Sequence, residues 1–201
     1  MEEEKPVLTS LNLDFAVWDQ VFTVHPLVIV GTLDKDENLN LAPKHMAFPL
    51  GWKNYFGFVC TPRHATYQNI SDNGVFTVTY PKPDQVVITS LTASPRQDDG
   101  SKPDLEAIKT FPASDINGFF VEDGYLFLEC KLIRFIDGFG DNSLILAEIV
   151  AAKALNDVIK NPSHTDNEIL FKHPQLVYIA PDRYAVVSDT QAFPFPDDFK
   201  K

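Results

Sequence analysis

Short runs of β-branched and aromatic residues recur along the chain, and clusters of polar, turn-forming residues separate them. Runs of this kind are typical of β-strands, and their repeated occurrence indicates an all-β barrel or sandwich. The turn sequences at 34–38 and 137–142 predict hairpins between the strands on either side of them. The predicted strands cover residues 26–33, 39–42, 55–60, 75–80, 125–137, 143–153 and 176–179.

Two stretches depart from the strand pattern and predict short helices that pack on the barrel. Residues 63–73 follow Pro62 and end before Gly74, which is a common residue just after a helix. Pro83 opens the second stretch, and the apolar positions within 85–91 suit a helix that begins there.

Other segments lack a regular period. Residues 92–112 are polar and contain Pro and Gly, which favours an ordered excursion or lid over a linker between domains. His164 and His173 stand in polar stretches next to proline, and we expect them in loops.

Composition indicates one folded domain over residues 1–201, with its core at roughly 20–190 and a C-terminal tail at 191–201. The apolar share of 44% and the aromatic share of 12% are enough for a packed core. Cys60 and Cys130 lie far apart and match neither a zinc-binding nor a disulfide pattern, so they are predicted to be buried, reduced thiols. No metal site is expected.

The charge of the chain limits its partners. The net charge of −11 argues against a nucleic-acid partner, since binding to phosphate backbones depends on Lys and Arg. Three glutamates near the start do not fit a secretory signal, and no apolar run approaches the length of about 18 residues that a membrane span needs. We therefore expect a cytoplasmic protein with no membrane partner. A phosphorylated ligand has to be bound by a few local cations against the overall charge.

Residues 40–45 read NLAPKH and follow a predicted strand. Pro43 lacks a backbone donor and forces its predecessor toward an extended conformation, which predicts a corner whose following amides are unpaired. The main-chain N–H groups of Lys44 and His45 can donate to a flat or anionic ligand there, and Lys44 adds positive charge. The alternative is an ordinary turn between strands that happens to contain these residues.

Arg63, Thr66 and Asn69 follow one another at intervals of three residues at the start of the first predicted helix. This spacing places them on one helix face. The N-terminus of a helix attracts anions, and an arginine adds bidentate hydrogen bonds to a phosphate. The pattern therefore indicates a phosphate site, and the alternative is a solvated face with Arg63 paired to a nearby Asp.

The order of these motifs resembles that of the flavin reductase-like family, which includes flavoredoxin-type proteins. Family members carry T-T-x-D, N-x-A-P-x-S, R-x-x-T-x-x-N-I and G-x-F-x-V in this order. The corresponding segments here are GTLD at 31–34, NLAPKH at 40–45, RHATYQNI at 63–70 and GVFTV at 74–78. Downstream, LECKL at 128–132, ILAEIV at 145–150 and LVYIAPDRY at 176–184 are also similar, so the resemblance covers roughly residues 20–190.

The resemblance implies a mainly β fold, an FMN-binding split β-barrel of Greek-key type with a few short peripheral helices. It also implies an NAD(P)H-dependent flavin reductase, in which NADH or NADPH passes hydride to N5 of the flavin. The cofactor carries the chemistry, so no catalytic side chain is required. The implied cofactor-binding residues are Asn40, Leu41, Ala42, Pro43, Lys44, His45, Thr61, Arg63, Thr66, Asn69, Arg183 and Tyr184.

Two positions depart from the family pattern. His45 stands where the family has Ser, which removes one hydroxyl contact to the flavin and offers a ring donor instead. Ala147 stands where the family has Gly before Glu148, and we expect it to crowd a close approach to the flavin.

Three functions stay open at this point. Besides a reductase that holds FMN tightly or exchanges it as a substrate, the chain fits a non-enzymatic FMN-binding electron-transfer module that serves a protein partner. The third, less favoured function is that of a split-barrel protein of the pyridoxamine-phosphate oxidase type. The resemblance further implies a homodimer with cofactor sites near the subunit boundary. Trp52 and Tyr55 can stack on a ring or cover the subunit boundary, and we expect the latter because aromatic residues are enriched at interfaces.

Overall fold

Antiparallel strands dominate the structure, a computed structural model that describes residues 7–97 and 101–196. The predicted tail at 191–201 is therefore described only as far as residue 196, and residues 98–100 of the predicted excursion lie outside the described residues. The strands are β1 Thr23–Pro26, β2 Val28–Leu33, β3 Leu39–Lys44, β4 Ala47–Pro49, β5 Tyr55–Cys60, β6 Val75–Tyr80, β7 Thr110–Pro112, β8 Phe119–Val121, β9 Leu126–Phe139, β10 Asn142–Ala154, β11 Gln175–Ala180 and β12 Arg183–Val187.

In the part of the chain that the structure describes, three short α-helices accompany the strands, and short 3₁₀ turns stand between elements. The helices are α1 Ala65–Asn73, α2 Val86–Leu91 and α3 Asp166–Lys172. The 3₁₀ turns are Val17–Asp19, Pro83–Gln85, Pro103–Ala107 and Asn156–Val158. Within residues 7–97 and 101–196, no helix is long and apolar enough to span a membrane.

The central sheet has seven strands in the order β3-β2-β6-β9-β10-β5-β4. It curls into a half-barrel, and a three-stranded sheet, β1-β11-β12, and the hairpin β7-β8 complete the β structure. Among the described strands, β3 lies at one edge of this sheet and pairs with β2 alone. These features confirm the mainly β fold class, with β3 and β4 at the two edges of the central sheet.

The main core lies inside the curled sheet. Its residues alternate along the strands, because successive side chains of a strand point to opposite faces of the sheet. Phe58 and Phe76 are almost fully buried, and their ring centroids are 5.3 Å apart in an edge-to-face arrangement. Cys60 and Cys130 are free and buried in this core, as predicted. A smaller cluster around Ile29, Leu41, Ile108 and Val121 packs on the outer side.

Several predicted elements agree with the structure. The strands at 55–60 and 75–80 have the predicted bounds. Both hairpins are present, since β2 pairs with β3 and β9 pairs with β10. The first predicted helix begins two residues late, at Ala65, and ends at Asn73, where Gly74 adopts the left-handed conformation at φ 70°.

The predicted corner at residues 40–45 is wrong. β3 continues through Pro43 to Lys44 and pairs with β2 along its whole length, with Pro43 opposite Ile29 and Leu41 opposite Gly31. The Leu41 carbonyl accepts a hydrogen bond from Lys102, so it points away from β2. Residues two apart on a strand point their backbone groups to the same side, so the nitrogen of Pro43 also faces the open edge. An edge strand tolerates proline there because no ladder bond is lost.

Helix α3 lies between His164 and His173, the two residues expected in loops, and the sequence did not predict it. A capping box begins the helix: Thr165 Oγ1 accepts from Glu168 N at 3.2 Å, and Thr165 N donates to Glu168 Oε2 at 2.7 Å. Both orphan donors at the helix start are therefore satisfied locally. The polar composition of the segment hid this signal.

Candidate functional site

A buried network of polar side chains fastens α1 to the edge of the central sheet. Asn40 Nδ2 donates to Thr32 Oγ1 at 3.2 Å and to Thr66 Oγ1 at 3.1 Å. Asn69 Nδ2 donates to the same Thr32 hydroxyl at 3.0 Å. These four side chains join β2, β3 and α1, so the start of the helix is held next to the open strand.

The network decides between two interpretations of the helix face. Thr66 is 2% exposed and Asn69 is 5% exposed, so the alternative of a solvated face is wrong for both. They do share one face, but it packs on β2 and β3. Arg63 precedes α1 and is exposed, so it is the member of the predicted trio that can reach a ligand directly.

The segment after α2 returns to the open edge of β3 and covers it. Lys102 Nζ donates to the carbonyl oxygens of Leu41 at 3.2 Å and Thr92 at 3.0 Å. Arg96 Nη2 donates to Asn40 Oδ1 at 2.8 Å. Leu105 packs against the smaller apolar cluster. The described part of residues 92–112 is therefore an ordered excursion, as predicted, and the structure adds that it contacts the sheet edge.

A cavity of about 410 Å³ lies between β3, the start of α1 and this excursion. It brings together six of the sequence-predicted site residues, namely Asn40, Ala42, Pro43, Lys44, Arg63 and Thr66. Its wall also contains three cationic or titratable side chains that no sequence pattern assigned to a site, namely His64, Arg96 and Lys102. Among the described residues that line the cavity there is no Asp or Glu.

The cavity concentrates positive charge in an otherwise acidic chain. Burial lowers the pKa of Lys102, and the neighbouring charges of Arg96 and Lys44 lower it further. Burial likewise lowers the pKa of His64, with further contributions from Lys44, Arg63 and Lys102. The positive charges of the neighbouring side chains therefore disfavour the protonated forms of Lys102 and His64. A bound anion would relieve this repulsion, which makes the cavity suited to a phosphate.

The other six predicted site residues do not line this cavity. The Asn69 side chain lines a larger adjoining cleft, and Leu41 packs in the smaller apolar cluster. Thr61 lies at the end of β5, where its hydroxyl donates to Asn142 Oδ1 at 3.1 Å and ties the strand to the β9–β10 hairpin. His45 forms an aromatic group with His25 and Tyr178, called here the His45 group. Tyr184 lies beside this group, and Arg183 lies on the other face of the same sheet.

His45 stacks on Tyr178 with a ring centroid distance of 4.3 Å, and the His25 ring lies 5.9 Å away. Burial lowers the pKa of His45, and the charges of His25 and Lys44 lower it further. Strand register places His25 and Tyr184 opposite Tyr178 on its two sides. Directly opposed residues of antiparallel strands share a face, so Tyr184 lies on the face of Tyr178.

Arg183 occupies the position next to Tyr184 on β12 and pairs in register with Ile179. Successive side chains of a strand point to opposite faces, so Arg183 lies on the face away from Tyr178. The structure thus brings Tyr184 toward the His45 group and separates Arg183 from it.

Residues 22–185 match the flavin reductase like domain. The chain belongs to this family. The match covers most of the chain and contains every element that builds the cavity. Membership supports a flavin-related oxidoreductase function with a flavin cofactor.

This flavin reductase-like chain is similar to other proteins in sequence and in structure. An uncharacterized protein of Methanothermobacter thermautotrophicus is 29% identical over 187 residues, which are 86% of each chain. A candidate flavin reductase with a split barrel domain from Shewanella frigidimarina superimposes with a TM-score of 0.75 at 20% identity, covering 86% of this chain and 87% of that one. Flavoredoxin of Desulfovibrio vulgaris gives a TM-score of 0.75 at 19% identity, covering 94% of this chain and 99% of that one. The two structural likenesses confirm the split-barrel fold.

The residues of the cavity fit a flavin mononucleotide. Lys44, Arg63, His64 and Lys102 are the donor types that a phosphate requires. Ala42, Pro43 and Ala65 present small apolar groups beside them, which suits a flat ring system. Cationic and apolar parts of the wall thus match the two ends of such a ligand.

Proposed function

We propose that this chain is an FMN-binding flavin reductase that takes hydride from NADH or NADPH. The observation that carries the proposal is the cation-lined cavity in which Lys44 of β3 and Arg63 at the start of α1 face one space. These two segments are nearly twenty positions apart in the sequence, and both belong to the family motifs. Their meeting at one cavity supports a single phosphorylated ligand.

Arg63 and His64 would hold the phosphate of FMN together with the first turn of α1. Arg63 supplies a planar fork of donors that matches a phosphate. The helix start adds backbone N–H groups and the positive end of the helix dipole. The buried network of Asn40, Thr66 and Asn69 acts indirectly, because it fixes the helix start relative to β3.

Ala42, Pro43 and Lys44 would hold the ring system along the open edge of β3. The flavin supplies the redox chemistry when it is bound. The excursion forms one wall of the cavity, and its Lys102 ties this wall to the Leu41 carbonyl, so the excursion would limit the access of water to a bound flavin. The chain's own residues therefore bind, orient and protect the reacting group, and no catalytic acid or base is required of them.

The purified protein is expected to bind FMN and to lose the absorbance of the oxidised flavin when NADH or NADPH is added without oxygen. Hydride transfer reduces the flavin, so bleaching follows at a rate that rises with nicotinamide concentration. Absorbance in an anaerobic stopped-flow instrument measures it. Protein that binds FMN but is bleached by neither nicotinamide would instead favour the electron-transfer module that serves a protein partner. Protein that cannot be loaded with FMN would contradict both functions.

We further propose that the reductase acts as a homodimer with its sites near the subunit boundary. Apolar side chains in the N-terminal segment before and within β1 are exposed, including Leu13, Phe15, Phe22 and Val24 at 65–82% exposure. This segment leads into β1, which brings His25 to the His45 group. Exposed apolar side chains in one region are typical of an interaction surface, and a second copy would cover them.

Light scattering after size exclusion is expected to give twice the mass of the chain. Replacing Phe15 and Phe22 together by serine should shift the protein toward monomer, because it removes two large apolar contacts. Phe171→Ser on α3 is the matched control, since Phe171 is 79% exposed and lies on another element. A monomeric protein, or equal dissociation by the control, would contradict this assignment of the surface.

A further inference from the structure

A second and larger cleft of about 820 Å³ adjoins the flavin cavity. Both spaces are lined by Ala65, Arg96 and Lys102, whereas Lys44 and Arg63 line only the smaller one. Arg96 and Lys102 therefore stand at the junction between the two spaces. A ligand that enters the larger cleft contacts these two cations and leaves the Lys44 and Arg63 side of the smaller cavity to the flavin.

The rest of the larger cleft carries negative charge. Asp34 and Asp36 of the β2–β3 turn and Glu106 of the excursion contribute carboxylates to its wall. Asp34 Oδ1 accepts from the backbone N–H groups of Asp36 and Asn38, each at 2.9 Å. The hydrogen bonds from Asn38 lower the pKa of Asp34, so it stays ionised at neutral pH. The cleft is thus cationic at the junction and anionic along its outer wall.

This distribution fits one half of a dinucleotide. A pyrophosphate needs cations, while ribose hydroxyls donate hydrogen bonds that carboxylates accept. A carboxylate that accepts from the 2′-hydroxyl of adenosine selects against a phosphate at that position, because the phosphate has no proton to donate there and carries about −1.5 to −2 charges. The volume of the cleft is within the usual range for small-molecule sites, about 300–1,000 Å³.

We propose that the larger cleft binds the adenosine half of a nicotinamide dinucleotide, with pyrophosphate at Arg96 and Lys102, and that its carboxylates select NADH over NADPH. The inference rests on the proposed function, in which a nicotinamide dinucleotide reduces the flavin in the adjoining cavity. Asp36 and Glu106 are the specificity-determining residues, since Asp34 is engaged by its own turn.

ADP-ribose and its 2′-phosphorylated form test the cleft without any redox step, because neither carries nicotinamide. Titration calorimetry of the FMN-loaded full chain is expected to show ADP-ribose binding about tenfold more tightly, owing to repulsion between the 2′-phosphate and the carboxylates. In the double variant Asp36→Asn with Glu106→Gln, the difference should largely disappear. Asp72→Asn with Glu148→Gln makes the same charge change at exposed positions outside the cleft and should leave the ratio unchanged.

Lys102→Gln should weaken the binding of both nucleotides. Lys102 also donates to the carbonyl oxygens of Leu41 and Thr92, so the unfolding midpoint and the FMN affinity of this variant are measured in the same samples. Equal affinity for the two nucleotides, tighter binding of the phosphorylated one, or no binding of ADP-ribose would overturn the proposal. Loss of FMN affinity in Lys102→Gln with unchanged ADP-ribose binding would also overturn it. A selective ADP-ribose site in protein that NADH does not bleach would instead contradict the reductase activity and support the nucleotide site.

Discussion

Replacing Glu129 by glutamine is expected to lower the free energy of unfolding by about 3–6 kcal/mol. Glu129 on β9 is 1% exposed, and its carboxylate accepts three backbone hydrogen bonds, from Ser114 at 2.9 Å, Asp115 at 2.7 Å and Ile116 at 3.0 Å. Whichever way the glutamine amide turns, at least one of these N–H groups faces an NH₂ group. The remaining bonds lose their charge assistance, which is about half of their strength.

Urea denaturation followed by circular dichroism measures this loss. Glu148→Gln on β10 is the control, because Glu148 is exposed and the same change there should alter stability by no more than about 0.5 kcal/mol. A loss below 1 kcal/mol for Glu129→Gln would show that the three bonds contribute little. The sequence marks Glu129 only as part of a family motif, and its partners lie in the β7–β8 connection, which no local pattern links to β9.

Strands with strong local patterns were predictable, and those that depend on distant partners were not. The β-branched and aromatic runs of β5 and β6 fixed their bounds. β4, β7 and β8 have three residues each, too few for a period to show. Their strand conformation depends on pairing with β5 or with each other. Short strands of this kind are set by tertiary contacts, which a single sequence does not display.

Pro43 shows how the same residue can be interpreted wrongly when its place in the sheet is unknown. Proline inside a central strand removes a ladder bond, so a corner was the reasonable expectation. At the open edge of β3 the missing donor costs nothing, and the strand continues to Lys44. The place expected of this segment survives the correction, since Pro43 and Lys44 still line the cavity that Arg63 lines. The expected main-chain donor does not, because the register turns the Lys44 amide toward β2, so Lys44 contributes its side chain instead.

The cations of the excursion could not be assigned from the sequence. Arg96 and Lys102 stand in a polar stretch without a period, more than fifty positions after Asn40 and Leu41, whose oxygen atoms they contact. The prediction that residues 92–112 form an ordered excursion was the available signal. Joining it to the edge of β3 required the fold.

The departure at His45 also has a structural account. Its ring stacks on Tyr178 beside the cavity wall and contacts a different strand from the rest of its motif. Ala147, the other departure, is fully buried in the main core, where it packs with residues of the curled sheet. The larger side chain thus fills core space on β10, and its expected effect on the flavin stays a prediction.

Replacing Arg63 and Thr66 together by alanine is expected to weaken FMN binding by about 1.5–3 kcal/mol for each charged hydrogen bond lost. One such bond corresponds to a rise in Kd of about tenfold to one-hundredfold. Arg63 contributes a guanidinium to the cavity wall. Thr66 acts indirectly, because its Oγ1 accepts a hydrogen bond from Asn40 Nδ2 at 3.1 Å. Fluorescence titration of the flavin measures the affinity of the double variant and of each single variant.

Riboflavin separates the two roles, because it has the ring system of FMN without the phosphate. Arg63→Ala should lower the affinity for FMN and leave the affinity for riboflavin unchanged. Thr66→Ala should lower both affinities through displacement of β3. Thr66→Ser keeps the hydroxyl and should have the wild-type affinities. Arg134→Ala removes an exposed arginine from β9 and serves as the control for charge. Equal losses for FMN and riboflavin in Arg63→Ala, or none for either, would place the phosphate elsewhere, because an interaction that involves only the phosphate cannot change the affinity of a ligand that lacks it.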